Sequence, residues 1–85
     1  MAKIYKYQFD ITDTVTIDMP IGSQVMSFDS QDNKPTLWAL VEPEAEIEER
    51  TFYLFGTGHN VPDNFDASDH IGTIQINGLV WHLFE

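Results

Sequence analysis

Polar and apolar positions alternate with a period of two along most of the 85-residue chain. Tyr5, Tyr7 and Phe9 alternate with Lys6 and Gln8, and Val15, Ile17 and Met19 alternate with Thr14, Thr16 and Asp18. Between Gln24 and Ser30 the pattern places Met26 and Phe28 on one face. Thr36–Val41 (TLWALV) is apolar at both parities, which predicts a central strand covered on both sides; Thr51–Phe55 (TFYLF) reads similarly. Ile71–Ile76 and Leu79–Phe84 complete the set. No window of helical length keeps apolar residues at i, i+3, i+4 and i+7. About seven short strands recurring roughly every ten residues predict an all-β fold, a small antiparallel sandwich or barrel with little or no helix.

Turn residues fall between these runs. Asp10–Asp13 is expected to turn a first hairpin, Met19–Gly22 to break the second strand, and Gln31–Pro35 to form an Asn/Asp/Pro turn. Ile76-Asn77-Gly78-Leu79 is the sharpest local signal, because Asn-Gly between alternating runs calls for a two-residue type I′ turn. That turn pairs Ile76 with Leu79, Ile74 with Trp81 and Gly72 with Leu83 on an apolar face. It pairs Gln75 with Val80, Thr73 with His82 and Ile71 with Phe84 on a mixed one. A mixed second face suggests a further contact there, most simply a homodimer; an edge strand such as Lys3–Phe9 is the other route. No linker or repeat divides the chain, so residues 1–85 are expected to form one domain.

Charge narrows the function classes. Four Lys/Arg oppose fourteen Asp/Glu, for a net charge of −10, with the excess concentrated after Val41. Direct binding to nucleic-acid phosphates or anionic lipid is disfavoured, whereas a partner with a basic surface fits. Glu44, Glu46, Glu48 and Glu49 lie in an acidic run read as a solvated loop, and Asp63, Asp66 and Asp69 form a second cluster. These are the candidate partner-binding residues; a DNA-mimicking surface and plain solubility are the competing readings. Cysteine is absent, excluding a disulfide framework and thiolate metal sites. The first residues enter strand-like alternation without an apolar leader core, and no apolar run reaches membrane-span length, so a cytoplasmic protein is expected.

Gly56-Thr57-Gly58-His59 follows an apolar strand, as phosphate-binding loops do, but no lysine or helix start comes after it. Its amides form a candidate anion nest, with Thr57 and His59 beside it, Arg50 as the sole arginine, and Thr73 and His82 as polar groups on a sheet face. Gly56, Thr57, Gly58, His59, Arg50, Thr73 and His82 are therefore the candidate ligand-binding residues, for a nucleotide-like ligand. The alternative is that the glycines only end a strand. His59, His70 and His82 have no metal-site spacing, so no metal or cofactor is expected. Ser68-Asp69-His70 has the residue types of a nucleophile, an acid and a base, but as sequence neighbours they are a poor triad, and no catalytic residue is assigned.

The ordered blocks IYKY (Ile4–Tyr7), DITD (Asp10–Asp13), LWALV (Leu37–Val41), GTGH (Gly56–His59), IGT (Ile71–Thr73) and WHLFE (Trp81–Glu85) resemble a family of short uncharacterised bacteriophage and prophage proteins. The resemblance spans nearly the whole chain and implies a phage or prophage origin, host-cell cytoplasm as the compartment, and one self-contained domain. It implies no activity. The resulting expectation is a non-catalytic binding module engaging a host factor, such as a defence protein, through acidic loops. Nucleotide capture at Gly56–His59 and a minor virion or assembly role are the alternatives.

Overall fold

A computed structural model describes all residues from Met1 to Glu85. Seven strands form in chain order: β1 (Lys3–Gln8), β2 (Thr14–Pro20), β3 (Gln24–Gln31), β4 (Lys34–Val41), β5 (Ile47–Gly56), β6 (His70–Ile76) and β7 (Leu79–Phe84). The single helical piece is a 3₁₀ turn at Ala67–Asp69. The strands make two antiparallel sheets, one ordered β1-β4-β3 and the other β2-β5-β7-β6. The fold is a sandwich, which resolves the choice between sandwich and barrel.

Two tight hairpins act as anchors. Asn77 and Gly78 both have positive φ, as a type I′ turn requires, and β6 and β7 pair in the expected register from Ile76–Leu79 to Gly72–Leu83. Asp32 and Asn33 likewise join β3 to β4 with positive φ at both positions. Asp10–Asp13, in contrast, turns no hairpin. β1 pairs with β4 and β2 with β5, so this segment carries the chain from one sheet to the other.

Alternation decides the core. Leu37, Ala39 and Val41 of β4 face Phe52 and Leu54 of β5, together with Met19, Phe28, Ile74, Ile76 and Leu83. Phe52, Met19, Leu37 and Leu83 are wholly buried. Tyr7, Phe9, Val15, Ile17, Val25, Ile71 and Trp81 pack at the margin of this cluster.

Three predicted details differ. Bulges shift the register at two places, and a bulge sends its extra residue out of step with the alternation. At Met26 the bulge turns that side chain outward, 56% exposed, while Val25 and Phe28 face the core. At Ile71 it leaves His70, not Ile71, opposite Phe84. Third, β4 is central in its sheet but covered on one side only: Trp38 is half-buried and Leu40 is exposed beside its cross-strand neighbour Ile4.

The outer face of β5–β7 follows the opposite course. Tyr53, Phe55 and Phe84 point away from the core, and Phe65 of the β5–β6 connection lies against all three at centroid distances of 4.9, 5.7 and 6.0 Å. At the apolar end of the mixed face, Phe84 is thus packed against the chain's own loop. The acidic run is also shorter as a loop than expected, because β5 begins at Ile47 and takes Glu48 and Glu49 into the sheet.

Gly72 lets β6 pack closely on β3 of the other sheet. A Cβ there would lie 3.0 Å from Cβ of Phe28 on β3. The Phe28 ring is itself stacked on Phe9 at 6.2 Å, so it has little room to yield. Gly72→Ala is expected to destabilise the fold by about 1–3 kcal/mol through overpacking, read as a lower urea midpoint at unchanged slope. A midpoint equal to or above that of the parent would show that the sheets have slack there.

Candidate functional site

The Gly56–His59 turn closes on itself. The His59 amide donates to the Gly56 carbonyl at 3.0 Å, and the Thr57 amide donates across to Val80 at 3.2 Å. The Gly56 amide donates to Nδ1 of His59 at 3.0 Å. An imidazole folded back this way leaves no space for a side chain at position 56: a Cβ on Gly56 would meet Cε1 of His59 at 2.8 Å. Gly58 has φ of +90°, a value that favours glycine. Each glycine therefore has its own mechanical reason, one steric and one conformational. Because the amides of Gly56, Thr57 and His59 have internal partners, an anion at this turn finds only the Gly58 amide without one.

Arg50 is similarly engaged. Its guanidinium makes two 2.7 Å bonds to the Glu85 carboxylate and a third to the Ser23 carbonyl, with the cation over the Phe52 ring at 5.8 Å. The hydrogen bonds to Glu85 hold the Arg50 pKa above its ordinary value. The sole arginine thus closes one mouth of the sandwich and stands away from the glycine turn.

Thr57, Thr73 and His82 do come together, with His70 as a fourth member. His70 Nε2 lies 2.9 Å from Thr73 Oγ1, Thr73 Oγ1 lies 2.9 Å from His82 Nδ1, and His82 Nε2 lies 2.8 Å from Thr57 Oγ1. This four-residue chain runs across the outer face of β6 and β7 to the glycine turn. Thr73 Oγ1 bonds both imidazoles and His82 bonds both hydroxyls, so the two inner members are engaged on both sides while His70 and Thr57 form the ends. His70 joins because the bulge at Ile71 turns it onto this face, a displacement that strict alternation does not reveal. Ser68 is not its partner: the Ser68 hydroxyl donates to the Asp66 carboxylate.

Asp66 and Asp69 cap the 3₁₀ turn reciprocally. Asp66 accepts from the Ser68 amide at 2.8 Å, and Asp69 accepts from the Asp66 amide at 3.0 Å. The hydrogen bonds from the Ser68 hydroxyl and amide hold the Asp66 carboxyl below the usual aspartate range. Asp63 stays exposed on the same connection. In the other cluster, Glu42 and Glu44 lie near the N-terminal ammonium, Glu46 is exposed, and Glu48 accepts a long bond from the Gly22 amide.

Two clefts flank His59. The larger, about 510 Å³, lies between the start of β2, the outer face of β5 and the 59–65 segment. Tyr53, Phe55 and Phe65 form its aromatic walls, and Asp13, Asn60 and Asn64 supply polar groups. The smaller, about 290 Å³, is lined by the glycine turn, the Asn77-Gly78 hairpin end and Trp81. Trp81 stands edge-on to His59 at 6.0 Å, and its indole N–H is buried without an acceptor. No three His, Cys, Asp or Glu side chains gather as metal ligands would, and no helix is long and apolar enough to cross a membrane.

Residues 1–85 match the family model described as a domain of unknown function, DUF7352. The chain belongs to this family. No curated protein and no solved structure matches it.

Two outcomes test this local geometry. Nδ1 of His59 accepts a hydrogen bond, so nitrogen-15 spectra are expected to show His59 as the neutral Nε2–H tautomer. Gly56→Ala should displace the ring and move that signature toward the solvent mixture; an unchanged spectrum would contradict the folded-back imidazole. Asp66, with its folded pKa lowered, stabilises the 3₁₀ turn above the ordinary aspartate pKa of 3.8. That contribution should fade as pH falls from there through the lowered value. The Ser68 amide resonance reports it, and a Ser68 shift completed above pH 3.8 would reverse the sign.

Proposed function

We propose that this protein is a small phage-type accessory factor. It acts by non-catalytic contact with a partner that presents a basic surface, such as a host defence protein, in the host-cell cytoplasm. One observation carries the reading: its carboxylates are left largely uncompensated. Of fourteen acidic side chains, only Asp10, Glu42, Glu44 and Glu85 form an ion pair. On the outer face of β2–β5, Asp18 lies directly opposite Glu49 with no cation between them. Like charges facing across a ladder cost stability, typically about 0.2–1 kcal/mol. A site that keeps such a cost is a candidate for function.

The same face continues from these acids through the hydroxyl pair Thr16–Thr51, 3.2 Å apart, to Tyr53 and the larger cleft. β2 is an edge strand, which leaves this track open along one side. The expected site therefore includes Glu49, with Asp18 and Asp13 added. Asp66 and Asp69 serve the loop itself. The phage setting rests on the ordered sequence blocks.

The double substitution Asp18→Asn/Glu49→Gln tests the proposal through two opposed effects. Folding stability is expected to rise by about 0.2–1 kcal/mol. Retention of a host protein from lysate at micromolar concentration should fall, as should the salt dependence of that retention. Absence of any salt-sensitive partner, or partner binding indifferent to the substitutions, would remove the proposal.

A further inference from the structure

From the larger cleft we infer a binding site for an organic cation: an ammonium or guanidinium group carried on an aliphatic stem. The inference rests on the basic-partner reading and gives that partner a specific point of attachment.

The walls have the form such a group requires. Tyr53 and Phe55 project from the same face of β5, and Phe65 sits against both with interplanar angles of 64° and 69°. The three rings pack edge against face and all line the cleft, so a ligand there lies against aromatic surface on more than one side. The negative face of an aromatic ring attracts a cation, most strongly where water is displaced. The cleft volume of about 510 Å³ lies within the range of small-ligand sites.

Electrostatics select the sign of the occupant. Asp13 is the only carboxylate among the lining residues, and no lysine or arginine lines the cleft. Asp13 has no ion-pair partner in the chain. Nδ1 of His59 is taken up by the Gly56 N–H. The sole arginine, Arg50, is held by Glu85 and Ser23. Neutral hydrogen-bonding groups, Asn60, Asn64 and Thr14, complete the rim and suit the remaining N–H donors of an ammonium or guanidinium. An anion placed here would meet the Asp13 carboxylate with no lysine or arginine in the lining to offset it.

The segment from His59 to Phe65 that forms the outer wall is anchored at both ends. The glycine turn fixes one end, and the 3₁₀ turn capped by Asp66 and Asp69 fixes the other. Phe65 packs against Phe84 as well as Phe55, so the wall is held before any ligand arrives. The self-closed Gly56–His59 turn then acts as the hinge post of a binding wall, with the ligand beside it.

The chemistry is shared by a free amine and by a Lys or Arg side chain on a protein, and a titration followed by NMR separates them. The probes are N-acetyl-trimethyl-lysine amide, N-acetyl-arginine amide, the uncharged analogue N-acetyl-norleucine amide, choline, and a short Lys/Arg-rich peptide. Saturable shifts at Tyr53, Phe65, Asn60 and Asn64 are expected for the cations and not for N-acetyl-norleucine amide. Phe65→Leu should weaken them about tenfold, in line with a partly desolvated cation–π contact. Asp13→Asn, an exposed substitution that leaves the packing intact, should weaken them several-fold. Equal shifts with N-acetyl-norleucine amide, no saturable shift with any cation, or indifference to Asp13→Asn would overturn the site. Tighter binding of the peptide than of choline supports a protein side chain as the occupant. The reverse order supports the cleft and removes the basic-partner reading. A partner or peptide that binds equally well to parent, Phe65→Leu and Asp13→Asn overturns the cleft while leaving the acidic-track reading intact.

Discussion

Face-to-face burial of two small apolar sheet surfaces is the interaction on which this molecule depends. Ten buried side chains form the core, and Gly72 of β6 admits Phe28 of β3 at close range. A chain of this size has little interior to spare, since small domains bury a smaller share of their surface than large ones. Every strand must therefore contribute its inward residues, and the polar ends of the sandwich must be closed by specific groups. Arg50 does this at one mouth by joining β5 to the Glu85 carboxylate and the Ser23 carbonyl.

A thin core also explains the second apolar layer. Phe65 folds onto Tyr53, Phe55 and Phe84 and extends burial to the outer face of the four-stranded sheet. The connection that carries Phe65 is long and rich in Asn and Asp, yet it has its own supports in the Asp66–Asp69 capping box and the closed glycine turn. Covering one side of that aromatic group leaves the β2 side open, and the cleft is the result. Structure and candidate function are thus joined through one packing event.

The electrostatics pull in the other direction. Asp18 and Glu49 face each other across the β2–β5 ladder, and most carboxylates have no cation to meet. Unpaired surface acids are compatible with a stable sandwich because water screens them. They are continuous with an aromatic cleft whose lining holds one carboxylate and no lysine or arginine.

Alternation along the chain, turn chemistry and charge were sufficient for the all-β class, the number of strands, the Asn77-Gly78 hairpin and its register, and the acidity of the surface. These are local properties: a period of two and a positive-φ dipeptide act over a few residues. Which strands pair was decided by tertiary structure, since β1 reaches β4 and β2 reaches β5 across separations that no local signal encodes. The bulges at Met26 and Ile71 were equally hidden, because one extra residue changes the facing of a side chain without altering composition. Thr57, Thr73 and His82 were legible as candidates but their union with His70 was not, and Arg50 was legible as a cation but not as one already held. The cleft belongs wholly to the folded state: Asp13, Tyr53 and Phe65 come from three separate segments, and only the packing of a loop onto a sheet face brings them within reach of one ligand.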